Sequence, residues 1–125
     1  MTGIAFFDVD RTLLSVNSAA LWVRREVHNG NLSRSKALRA GAWLGLYGLG
    51  LVQADDLVRA AVRVLRGKRE RDVIDRTLQF WEEEVRYTVR PGARHAIAEH
   101  RRAGDLCFLL TSSSNYMSEI GRAHV

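Results

Sequence analysis

Two short runs without a polar residue, Ile4-Ala5-Phe6-Phe7 and Leu106-Cys107-Phe108-Leu109-Leu110, bracket most of the chain and constrain its fold more than anything between them. Continuous apolar runs of this length read as strands buried on both faces, because a strand with one wet face alternates. The sequence between them is periodic in the helical sense. Strands connected through helix pair in parallel, since a hairpin turn cannot join them. The expectation is therefore an α/β fold with a parallel sheet whose faces need covering. Two strands do not make a stable core alone, so either more chain is expected after Val125 or the sequence is a fragment.

Five helices are expected between and beside the strands. Ala19, Leu21, Trp22, Val23 and Val27 share a face in a helix that begins near Ser18 and stops at Asn29-Gly30. Residues 33–51, 54–65 and 71–89 read as the second, third and fourth, the third stopped by Gly67. Arg90-Pro91-Gly92 is a break, after which residues 93–102 form the fifth helix and Gly104 ends it. Neither an internal repeat nor a low-complexity linker interrupts this order.

A length of 125 residues suits one small domain. Apolar residues are 46% and charged residues 26%, which excludes a disordered or collagen-like chain. The net charge is +5, yet 17 of the 19 cations are Arg spread along the chain. Without Lys-rich clusters or interleaved aromatics this reads as a solvated surface, so no nucleic-acid partner is expected. The lone Cys107 forbids an intrachain disulfide and a multi-cysteine zinc site. Met1-Thr2-Gly3 lacks the basic start of a signal peptide, and no window reaches the roughly 18 apolar residues of a membrane span. The expectation is a cytoplasmic protein with no transmembrane segment.

Asp8-x-Asp10-x-Thr12, directly after the first strand, is the strongest chemical signal. Two carboxylates so close repel one another and are costly to desolvate. A divalent cation removes that cost, and Mg²⁺ prefers carboxylate and phosphate oxygens. Ligands of open α/β sheets bind beyond the carboxyl ends of the strands, where this motif lies. The structural alternative is an Asx turn leaving the strand.

At these residues the sequence resembles the haloacid dehalogenase-like hydrolases. Phe6-Phe7-Asp8-Val9-Asp10-Arg11-Thr12-Leu13 is similar to motif I of that superfamily, and Leu106 to Leu110 followed by Thr111-Ser112-Ser113 to motif II. The helical stretch between them resembles the cap inserted after motif I in the phosphoserine-phosphatase-like branch (subfamily IB), and Arg90-Pro91-Gly92 resembles its return to the core. The resemblance implies a partial Rossmann-like parallel core, residues 1–17 and 90–118, with an inserted helical cap, residues 18–89. It implies a Mg²⁺-dependent phosphomonoesterase acting on a small phosphorylated metabolite or lipid phosphate. Asp8 would be the nucleophile that forms an aspartyl-phosphate. Asp10 would be the general acid and base. Asp8 and Asp10, the latter through its backbone carbonyl, would hold the metal, and Thr12 would support the loop. Thr111 and Ser112, with the amides that follow, would bind the phosphoryl oxygens.

Three departures accompany the resemblance. Arg11 stands where Gly is commonest. Asn17 replaces the Glu that receives the substrate ammonium in phosphoserine phosphatases. The motif III lysine and motif IV acidic ligands, which follow motif II in the family, do not occur, so half an active site is expected here. Residues 119–125, Glu-Ile-Gly-Arg-Ala-His-Val, are what a widely used short-read sequencing adapter encodes in one frame before a stop. They are expected to be an artefact, with the native sequence continuing differently after about Ser118.

Other features have plainer readings. Residues 41–52 carry Trp43, Leu44, Leu46, Tyr47, Leu49 and Leu51 among four glycines. They are expected to form a tightly packed cap helix, with a membrane-interface or lipid-substrate surface as the alternative. His95 and His100 read as surface residues, and Glu82-Glu83-Glu84 as a solvated face. Arg24, Arg25, Arg34, Lys36 and Arg39 could meet a substrate anion. Two other function classes remain in view. A phospho-accepting receiver domain is disfavoured because Thr111 and Ser112, not Asp, follow the second strand; a basic helical binding module is the other.

Overall fold

The computed structural model of the chain describes residues 2–111 and 113–124. In order it comprises β1 (Ile4–Asp8), α1 (Ser18–His28), α2 (Arg34–Gly48), α3 (Ala54–Leu65), α4 (Glu70–Glu83), α5 (Pro91–Arg102), β2 (Leu106–Leu110) and α6 (Asn115–His124). β1 and β2 pair in parallel, from Ile4 opposite Leu106 to Asp8 opposite Leu110. The expected parallel α/β pairing is thus present as a two-stranded sheet.

The chain divides into two compact units, one of residues 1–21 and 74–125, the other Trp22–Val73. In the first, Leu13, Ala93 and Ile97 form a buried cluster against which Phe7 and Leu109 pack. α5 therefore covers one sheet face. The other face is open: Ile4 and Phe6 are each 61% exposed, and Leu106, Phe108 and Leu110 about half. The expectation that both strands are buried on both faces is corrected here. An all-apolar strand can be covered twice, but no described element lies over the second face.

Two close contacts fix where β1 begins. The Gly3 N–H donates to Asp105 Oδ1 at 2.8 Å, while His100 Nδ1 lies 2.8 Å from Asp105 Oδ2. A Cβ added at Gly3 would stand 2.7 Å from Asp105 Oδ1, so a larger residue there would displace the Asp105 carboxylate. The hydrogen bond from His100, then that from Gly3, holds the Asp105 carboxyl below the usual carboxylate range. Gly104, at φ +80°, turns the chain between α5 and β2.

The fourth helix is shorter than expected. It stops at Glu83, and Val85–Thr88 make one tighter helical turn before Val89 pairs antiparallel with Leu14. α6 was not anticipated from the sequence; Ser114 Oγ accepts the Met117 N–H at 3.3 Å and caps its start. In the second unit, neither α2 nor α3 contains a buried residue. The expected tight packing of residues 41–52 is therefore absent.

Candidate active site

Asp8 is the last residue of β1, and its side chain is exposed. Strand geometry alternates side chains, so Asp8 falls on the face shared with Ile4 and Phe6, at the strand's carboxyl end. The Thr12 hydroxyl donates to Asp8 Oδ2 at 2.5 Å. The bond closes the four-residue turn after β1 onto a carboxylate oxygen.

After Asp8 the chain turns tightly. Asp10 is extended (φ −69°, ψ 129°), and Arg11 is left-handed at φ +60°. Among the described non-glycine residues Arg11 alone has positive φ. Such a conformation costs an L-residue roughly 1–2 kcal/mol and marks a turn held by its surroundings. The surroundings are visible. The Arg11 N–H donates to the Val16 carbonyl and the Leu14 N–H to the Val9 carbonyl, each at 3.0 Å. The residue seen at the sequence level as a departure from Gly thus occupies a backbone position that favours Gly.

Asp10 is half-buried, and its Oδ1 accepts the Ser18 N–H at 2.8 Å. That amide belongs to the first turn of α1, so Asp10 satisfies one of the helix's otherwise unpaired N–H groups. Asn17 Oδ1 accepts the Ala20 N–H at 2.9 Å, so Asn17 acts as a cap of the same helix.

The segment returning from α4 is tied to this loop. Ser15 N–H donates to the Thr88 carbonyl at 2.8 Å, and Arg90 N–H to the Leu13 carbonyl at 2.9 Å. The Arg90 guanidinium reaches the Arg11 carbonyl at 3.4 Å. The sequence marks residues 90–92 as a break and as the return toward the core, but not as a tie to the loop after β1. The positively charged residue before Pro91 was the available signal for a backbone tie.

Thr111 follows β2 directly, and β2 is the immediate neighbour of β1. Adjacent strands lie about 4.8 Å apart, so parallel pairing brings the segments after Asp8 and after Leu110 to the same sheet end. Thr111 Oγ1 accepts the Ser113 N–H at 3.0 Å and donates to Ser113 Oγ at 3.0 Å. Ser112 lies outside the described residues.

No group of three or more His, Cys, Asp or Glu side chains able to hold a metal occurs among the described residues. The donors at the loop are hard oxygens, the Asp8 carboxylate and the Asp10 carbonyl and carboxylate. Their chemistry fits Mg²⁺, which binds through one or two carboxylates and retains water.

A family model for haloacid dehalogenase-like hydrolases matches residues 5–122. Among solved structures, the chain superimposes on a protein with unknown function from Bordetella pertussis Tohama I with a TM-score of 0.84 and 24% identity. The match covers 98% of this chain and 57% of the other, so the chain spans little more than half of that neighbour. A search of the curated proteins gave no match. At 24% identity the structural likeness speaks for the fold.

Proposed function

Because the chain belongs to the haloacid dehalogenase-like hydrolase family, we propose that the protein carrying it is a Mg²⁺-dependent phosphomonoesterase that works through an aspartyl-phosphate. The reading includes the phosphoserine-phosphatase-like branch, with residues 18–89 as its inserted cap, and a cytoplasmic location. Its substrate is a small phosphorylated metabolite or a lipid phosphate.

The observation that carries the reading is the carboxylate pair leaving a parallel strand, with Asp8 exposed and Asp10 tied to a helix N-terminus. Asp8 attacks phosphorus while the bond to the leaving oxygen breaks, and Thr12 fixes which carboxylate oxygen is presented. Asp10 protonates the departing oxygen. It then takes a proton from the water that attacks the acyl phosphate and regenerates Asp8. With Oδ1 occupied by the Ser18 amide, Oδ2 is the oxygen that carries this proton. Asp8 and the backbone carbonyl of Asp10 would hold Mg²⁺, which when bound would neutralise phosphoryl charge. Thr111, Ser112 and the following amides bind the remaining phosphoryl oxygens. A bound oxygen would replace Thr111 Oγ1 as acceptor of the Ser113 N–H.

Phosphoserine is a poor candidate substrate within this reading. Asn17 offers no charge to an ammonium group, and its carbonyl oxygen already caps α1. The test is hydrolysis of p-nitrophenyl phosphate with and without Mg²⁺ by the protein carrying this chain. Asp8→Asn abolishes turnover on this account, and Asp10→Asn lowers it by roughly 10²–10⁴-fold. Parental rates in Asp8→Asn would refute the nucleophile assignment.

A further inference from the structure

The cations that look scattered along the sequence separate once the two units are distinguished. Residues 22–73 hold eleven of the nineteen Lys and Arg but five of the fourteen Asp and Glu, a net charge of +6 against −1 for the rest. Within this unit, residues 40–53 contain no charged side chain at all. They form the second half of α2 and the turn into α3.

That turn is closed by its own backbone. The Leu51 N–H donates to the Leu46 carbonyl at 2.9 Å and the Gly50 N–H to the Tyr47 carbonyl at 2.9 Å, with Gly50 left-handed. This six-to-one closure is an ordered helix C-terminus. It leaves Leu49 75% and Leu51 70% exposed, beside the partly exposed rings of Trp43 and Tyr47. Arg34, Lys36 and Arg39 precede the uncharged stretch; Asp55 and Asp56 follow it, and then Arg59, Arg63 and Arg66, so cations outnumber carboxylates six to two around it.

We propose that the α2–α3 turn is a docking tip for an anionic lipid bilayer surface, with Leu49 and Leu51 entering the interface and the flanking cations meeting lipid phosphates. Three features select this occupant. Two copies of the unit would bring +6 against +6, which opposes self-association through this face. A nucleic-acid backbone would reward the cations but give exposed leucines nothing to bury in. An anionic bilayer satisfies both, and Trp and Tyr rings partition to its headgroup region. Fourteen uncharged residues are too few to span a bilayer, and no described helix is long and apolar enough to cross one. The tip therefore lies in the interface.

This inference stands apart from the phosphatase reading, because binding is measured without turnover. The full chain is sedimented with vesicles of phosphatidylcholine alone and of phosphatidylcholine mixed with phosphatidylglycerol. Binding to the mixed vesicles, weakened by salt, and little binding to the neutral ones is expected. Each cation near an anionic surface contributes about a fivefold factor, so Arg34→Gln, Lys36→Gln and Arg39→Gln together lower the partition coefficient by roughly a hundredfold. Leu49→Ser with Leu51→Ser, both at exposed positions, reduces binding with unchanged helical dichroism. Equal binding to both vesicle types, no binding in lipid excess, or a partition unmoved by the leucine variant overturns the proposal. So does a dimer that the leucine variant dissociates without any vesicle binding, since that outcome assigns the tip to a second copy.

Discussion

The two units spend their apolar residues differently. Each well-buried hydrophobic side chain among the described residues, from Ala5 through Phe80 and Val85 to Met117, belongs to the unit of residues 1–21 and 74–125. Residues 22–73 instead leave Leu38, Leu49, Leu51, Val58, Val62 and Val64 more than half exposed. The difference teaches that burial in this chain is concentrated in the unit that holds the turn after β1 and not spread over all the helices. The first unit buries side chains around a turn in which Arg11 is left-handed and Asp8 and Asp10 stand two residues apart. The second carries a net charge of +6 and leaves much of its apolar surface exposed.

The contrast breaks most readily in a pair of truncations. Phe80 is wholly buried, and Phe80→Ala is expected to cost about 3–5 kcal/mol in urea unfolding. Val62 is 60% exposed, and Val62→Ala should stay within about 0.5 kcal/mol. Equal losses would show that the second unit has a core of its own.

A smaller effect sharpens the account of the first unit. Arg11→Gly removes the left-handed penalty at φ +60° but adds unfolded-state freedom. The balance is a gain of about 0.5–1 kcal/mol in the same unfolding measurement. Destabilisation would mean that the Arg11 side chain contributes more than its backbone costs.

The smallest effect concerns pH. His100 and Gly3 lower the folded pKa of Asp105. Its contribution to stability is therefore present above the unfolded carboxylate value, near 4, and is lost as pH falls through the lower folded value. In urea unfolding followed across pH, Asp105→Asn should lose that contribution at neutral pH and flatten the acid limb of the stability curve.

Much of this was legible in the sequence, and the exceptions have physical causes. The parallel pairing was readable because Ile4 to Phe7 and Leu106 to Leu110 are apolar without interruption and joined by helix. Whether both faces are covered was not, since periodicity reports what a strand tolerates and not what lies over it. The break after Glu83 carries neither Gly nor Pro; it arises from the tertiary pairing of Leu14 with Val89. Asp8, Asp10 and Thr12 stand out by spacing, and the Thr12 contact with Asp8 follows from a turn that returns four residues on. The Ser18 amide on Asp10 and the Arg90 guanidinium on the Arg11 carbonyl were not, because each joins parts of the chain that spacing does not relate.

The central claim is that Asp8, at the carboxyl end of β1, takes the phosphoryl group. The most direct measurement incubates the protein carrying this chain with a phosphomonoester and Mg²⁺, reduces the trapped acyl phosphate with borohydride, and maps the product by peptide mass spectrometry. Reduction converts a phosphorylated aspartate to homoserine. The account predicts homoserine at position 8 and none in the Asp8→Asn variant. Homoserine at position 10, or Mg²⁺-dependent turnover by Asp8→Asn at the parental rate, would contradict it.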